Sequence, residues 1–206
     1  MSVATKRNGY HHGALREQLI KSALELLEEV GPNELSIREV ARRAGVSHAA
    51  PYRHFEDKEA LIAALIEEGY RDLAARMTDG ASRHAGEPVA QLCAAGVAYV
   101  ELAMARPALF RLMFSGNMCD FSKFESLVRT ATEAFGILAG LVEACFKAGS
   151  FKRVNPHHAV VACWSITHGL SNLLLEKQFS MVPGAQENPS ALANEVVKLL
   201  MSGLGV

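Results

Sequence analysis

The run LSIREVARRAGVSHAAPYRHFEDKEAL, from Leu35 to Leu61, leaves its backbone few options. Ser36 is a good helix N-cap and Glu39 follows three residues later, so the two form a capping box. Leu35 before the cap and Val40 inside the helix make a hydrophobic staple. Ile37, Val40, Ala41 and Ala44 recur at the spacing of one helical face. Arg38, Arg42 and Arg43 fall largely off that face. Gly45 ends the helix, because it takes the left-handed conformation without a Cβ clash. Val46 turns inward, and Ser47 caps a second helix expected over about His48 to Phe55. The pattern is helix, glycine turn, helix.

That second helix carries His48, Tyr52, Arg53 and His54, a mixture of donors and stacking groups. Ala49 and Ala50 between them let a backbone approach closely. Pro51 falls in the first turn, where a missing N–H costs little. Asp57 is placed to cap the next helix. Lys58 then stands at its N-terminus, where free backbone N–H groups favour phosphate. A short helix of this make-up presents its start to base edges in a major groove.

Net charge bears on that reading. The chain has 21 Lys and Arg against 22 Asp and Glu, so it is not basic in bulk. Residues 1–60 are also balanced, but their acids gather at Glu25, Glu28, Glu29 and at Glu56, Asp57, Glu59. The bases and His11, His12, His48 and His54 lie elsewhere, which leaves room for a local positive face. Lys6 and Arg7 form a basic arm ahead of the first helix, suited to phosphate or to a minor groove. The alternative is a plain solvated terminus.

The rest of the chain reads as helices. One is expected over Ala14 to Val30, stopped by Gly31–Pro32, and a long one runs from Lys58 to about Arg83. Others follow over Val89–Ala105, Pro107–Phe114 and Phe121–Ala148. Asn155–Pro156 and Asn188–Pro189 each pair an N-cap with Pro at the first helical position, opening helices to about Phe179 and Met201. The expectation is an all-α chain of about nine helices. Residues 1–60 would form a three-helix helix-turn-helix domain, and 61–206 a helical ligand-binding and dimerisation domain. Cys93, Cys119, Cys145 and Cys163 show no CxxC pairing and read as small buried hydrophobes in a reducing compartment. No N-terminal apolar run resembles a signal peptide, and Val89–Ala105 reads as too short to span a bilayer. A cytoplasmic protein with no membrane contact is expected.

The Leu35–Leu61 residues, with the chain upstream to about Tyr10, resemble the DNA-binding domain of the TetR/AcrR family of transcriptional regulators. The resemblance implies that Tyr52 and His54 contact phosphates and that Lys58 caps that contact. It implies further that Ser36 and Arg38 approach the backbone or a base edge, and that His48, Ala49 and Ala50 face bases. Ser47 and Arg53 complete the candidate DNA-binding set. Pro51 replaces the commoner aliphatic residue of the family. Trp164–Ser165–Ile166–Thr167–His168–Gly169–Leu170 is similar to a Trp…His-Gly motif of one subgroup. The family also implies a homodimer through the last two helices, which suits a palindromic operator.

Phe110, Met113, Phe114, Met118 and Phe121 cluster near a helix junction, and Trp164 and His168 lie one turn apart. Together they form a candidate pocket for a small-molecule effector, although such stripes are more often core. The function expected is a DNA-binding regulator, a repressor released from double-stranded DNA by that effector. The alternatives are an activator, a redox- or metal-responsive regulator, or a small helical enzyme. The last lacks any phosphate loop, HExxH or nucleophile elbow. No metal or cofactor is expected.

Overall fold

The computed structural model describes residues 8–151, 154–179, 182, 184 and 186–205. Lys6 and Arg7, and the side chains of His11 and His12, lie outside what it describes. Among the described residues the chain is all-α, with eight α-helices and two 3₁₀ turns. One isolated bridge joins Phe151 to Gly205.

Helix α1, Asn8–Glu34, starts earlier than expected and breaks where expected: Gly31 has φ 77 and Pro32 follows. Helix α2, Ile37–Arg43, begins at the Ser36 cap, whose Oγ accepts the Glu39 N–H at 3.2 Å. Only half of the capping box forms. The Glu39 carboxylate binds Arg42 Nε at 2.9 Å, an ion pair one turn away that outcompetes the reach back to the cap. Gly45, with φ 69, carries the chain out of α2, and the Val46 N–H closes the turn on the Ala41 carbonyl at 3.0 Å.

Helix α3, Lys58–Ser82, is capped as expected, with Asp57 Oδ1 accepting the Ala60 N–H at 2.8 Å. Its first half buries Leu61 and Leu65 against Leu19, Leu27 and Leu35. Its second half buries Leu73 and Met77 against later helices. Gly69 lets the Pro107–Met113 helix, α5, approach: a Cβ there would lie 2.5 Å from the Met113 sulfur. Glu67 is buried on α3 and is held by Arg71 and by the Ser126 hydroxyl, which donates to it at 3.1 Å.

Helix α4, Pro88–Ala105, is the centre of the C-terminal part. At 18 residues it is long and apolar enough to cross a membrane, which corrects the expectation that it is too short. It packs instead against α3 and the last three helices of the chain, with Val100, Leu102 and Ala103 fully covered. The remaining helices are α5, Pro107–Met113; α6, Glu125–Lys147; α7, Pro156–Leu175; and α8, Pro189–Leu204. Asn155 accepts the His157 N–H at 2.9 Å and Asn188 the Ala191 N–H at 3.0 Å, so both Asn-Pro starts are real caps. The expected helix from Phe121 is split by a 3₁₀ turn over Phe121–Lys123.

Two carboxylates tie α1 and α3 to the segment between α4 and α6. Glu28 on α1 accepts the Ala108 and Leu109 N–H groups, each at 3.0 Å, and so caps α5 from outside. Glu59 on α3 accepts the Asp120 N–H at 2.9 Å and pairs with Lys123 at 2.8 Å. One hydrophobic core runs unbroken from Leu19 on α1 to Leu127 on α6.

Candidate nucleic-acid interface and interior cavity

The expected second helix, His48–Phe55, is not an α-helix. Residues 48–50 form a turn and Pro51–Arg53 a 3₁₀ turn. Pro51 has no N–H to give to Ser47. The Ala50 N–H takes the Ser47 carbonyl at 3.0 Å and the Arg53 N–H takes that of Ala50 at 3.2 Å, the tighter three-residue spacing. The cap residue is Ala50, without a side-chain hydrogen bond, so Ser47 does not cap this element.

The side chains remain on display. Ser36, Arg38, Ser47, His48, Ala49, Tyr52 and Arg53 are exposed, while Ala50, His54 and Lys58 are half-buried. Pro51 and Phe55 are buried and anchor the turn. Tyr52 is 53% exposed, unusual for a large ring in a segment that also buries Pro51. The arginines divide sharply. Arg42 is neutralised by Glu39, and Arg43 by Glu29 at 2.5 Å. Arg38 and Arg53 make no ion pair with any described residue. Lys58 does not extend toward solvent. Its ammonium donates to the carbonyls of Pro32 at 3.3 Å and Asn33 at 3.2 Å, at the end of α1.

A cavity of about 190 Å³ lies among α3, α4, α6, α7 and α8. Of the seven residues proposed from sequence, Phe114 and Trp164 line it. Phe110 and Met113 are buried in the core instead, at 1% and 2% exposure. Met118 and Phe121 line a separate open groove beside Lys58 and Glu59. His168 stands one layer behind, its ring 4.7 Å from that of Phe114 and 6.2 Å from that of Trp164. Sequence reasoning missed Tyr70, Tyr99, Phe135 and Thr167, which come from four different helices. Nothing local marks them, because the cavity is made by helix crossings.

The Tyr99 hydroxyl and His168 Nδ1 are 2.8 Å apart. Burial pushes the Tyr99 phenol well above its usual range, with the Trp164 side chain offsetting part of this as a hydrogen-bond partner. Burial also lowers His168, which favours the neutral ring. Tyr70 is pushed up to about 12 by burial alone. Cys145 and Cys163 are each raised to about 11 by burial, so their thiols stay protonated and unreactive. No group of three or more His, Cys, Asp or Glu among the described residues is placed to hold a metal ion.

Comparison with known proteins settles the family. Residues 19–65 match the bacterial regulatory proteins of the tetR family, and residues 92–200 match the tetracyclin repressor-like C-terminal domain. The chain belongs to the TetR family. It is a DNA-binding transcriptional regulator, as the helix-turn-helix run implied. It is 28% identical over 160 residues to the HTH-type transcriptional regulator BetI of Pseudomonas fluorescens, a match covering 66% of this chain and 81% of that one. It is 50% identical over 52 residues to the class C tetracycline repressor protein of Escherichia coli. That match spans 25% of this chain and only 24% of the repressor. Among solved structures, a Rhodococcus sp. RHA1 protein of unknown function superposes with a TM-score of 0.82 at 30% identity. The superposition covers 97% of this chain and 100% of that one.

Proposed function

We propose that this TetR-family chain is a homodimeric repressor that leaves a palindromic operator when a small molecule fills the interior cavity. Residues 1–60 read DNA, and residues 61–206 bind the effector and dimerise. The observation that carries the DNA reading is the contrast among the arginines. Arg38 and Arg53 stay exposed and without an ion pair beside the Ser47–His54 segment, while Arg42 and Arg43 are neutralised. Free guanidinium groups are what phosphate oxygens and guanine edges recognise. The names of the relatives, a helix-turn-helix regulator and a repressor, point the same way.

Dimerisation is supported by apolar side chains left uncovered on the last two helices. Val161 on α7 is 54% exposed and Leu199 on α8 is 72% exposed. Trp164 and His168–Gly169 support membership of the Trp…His-Gly subgroup. A cytoplasmic regulator that is not an enzyme completes the reading.

The test is a gel shift of the purified protein on its own upstream DNA, across a salt series with competitor. A specific shift with a two-fold symmetric footprint supports the proposal. A folded dimer that selects no sequence from total genomic fragments removes it.

A further inference from the structure

We infer that the cavity takes an uncharged, mostly apolar molecule of one or two rings, whose single polar oxygen accepts a hydrogen bond from Tyr70. This rests on reading the cavity as the effector site. No Asp, Glu, Lys, Arg or His side chain lines it. An ion entering would shed its water and meet no opposite charge. The few polar groups on the wall are already occupied, with one exception. The Thr167 hydroxyl bonds the carbonyls of Cys163 at 2.9 Å and Trp164 at 3.1 Å. The Tyr99 hydroxyl is tied to His168, and the Trp164 indole lies close enough to the same hydroxyl to ease its acidity. Cys163 offers only a weak donor.

Tyr70 differs. It lines the cavity, its ring packs edge-on against Phe114 and Phe121, and its hydroxyl bonds no described residue. Burial is the one influence on its acidity, so it stands as a protonated donor. A ligand that brings one acceptor satisfies it, and a ligand that brings several leaves the others dry. Size sets the rest. A dry cavity of about 150 Å³ holds benzene, so about 190 Å³ admits one ring or two fused rings. Aromatic walls also suit a quaternary ammonium through cation–π contact. The absence of any carboxylate on the wall favours the neutral ligand.

Trp164 is the chain's one tryptophan and lies on the wall, so its fluorescence reports occupancy directly. The full chain is titrated with tetralin, 1-tetralone, 1-naphthoate and choline. Saturable quenching by the two neutral probes, and none by the two ions, is the expected result. Tyr70→Phe should weaken 1-tetralone by about fivefold, one hydrogen bond's worth, and leave tetralin unchanged. Ala131→Leu, which fills the cavity, should abolish both. The inference falls if 1-naphthoate or choline binds as tightly as 1-tetralone, or if no probe binds. It falls also if Tyr70→Phe leaves 1-tetralone binding at full strength or shifts both neutral probes alike, or if Ala131→Leu leaves binding intact. The wild-type comparison of neutral with charged probes stands even where a variant fails to fold. A gel shift in parallel separates the two readings: DNA binding that persists without probe binding overturns the ligand class alone.

Discussion

Arg38 and Arg42 stand one helical turn apart and face different fates. Arg42 spends its charge on Glu39, whereas Arg38 makes no ion pair with any described residue. Arg38→Ala and Arg53→Ala should each flatten the log–log salt dependence of DNA binding by about one unit for each phosphate no longer neutralised. Arg42→Ala should leave the slope unchanged. The salt series of a gel shift reads all three. Lys58, which the family resemblance places at a phosphate contact, has its ammonium on two carbonyls at the end of α1. Lys58→Met should therefore cost about 1 kcal/mol of stability, measured by urea unfolding. A loss of salt slope without loss of stability would show that the ammonium swings out to DNA. The exposure of Ser36 and Arg38 was legible because it follows from which residues the stripe of α2 buries. The contacts of Lys58 were not, because its partners lie 25 and 26 residues away. His168 adds a pH signature. Its folded pKa lies below the unfolded one, so the unfolded chain takes up the proton first as pH falls. Stability is therefore full above about pH 6.5 and declines as pH drops below it. Thermal melts of the wild type and His168→Gln between pH 7.5 and 5 should converge at the acid end.

Helix positions were legible because the signals that set them are local: an Asn-Pro start, a Gly stop, an apolar stripe. The 48–55 segment was misread for the same reason in reverse. Its residues suit a helix, but Pro51 withholds the donor that would extend one, and the chain settles for a 3₁₀ turn. The Glu28 cap on α5 could not be read at all, since it joins residues about eighty positions apart. It carries a prediction. A carboxylate on two free N–H groups at a helix start is worth about 1 kcal/mol. Glu28→Gln should lose part of that in urea unfolding. Phe114 sits just past the end of α5 and lines the cavity, while Glu28 grips the start of the same helix. Under the effector reading, Glu28→Gln should therefore also blunt the effect of a cavity ligand on DNA affinity.

The uncovered side chains on α7 and α8 belong to the whole molecule, because under the dimer reading a second copy covers them. Leu199→Glu should convert a dimer to a monomer in sedimentation, with far-UV circular dichroism unchanged, and should abolish the operator shift. A variant that stays dimeric moves the interface elsewhere. The core that runs from Leu19 to Leu127 has a consequence for anyone who builds hybrids in this family. Grafting the first sixty residues onto another regulator would cut through Leu61, Leu65 and the Glu28 clasp on α5. The DNA-reading end is not a detachable cartridge. A working chimera must carry its own α5 and the opening turns of α3, or inherit a matching acceptor for Glu28 in the recipient.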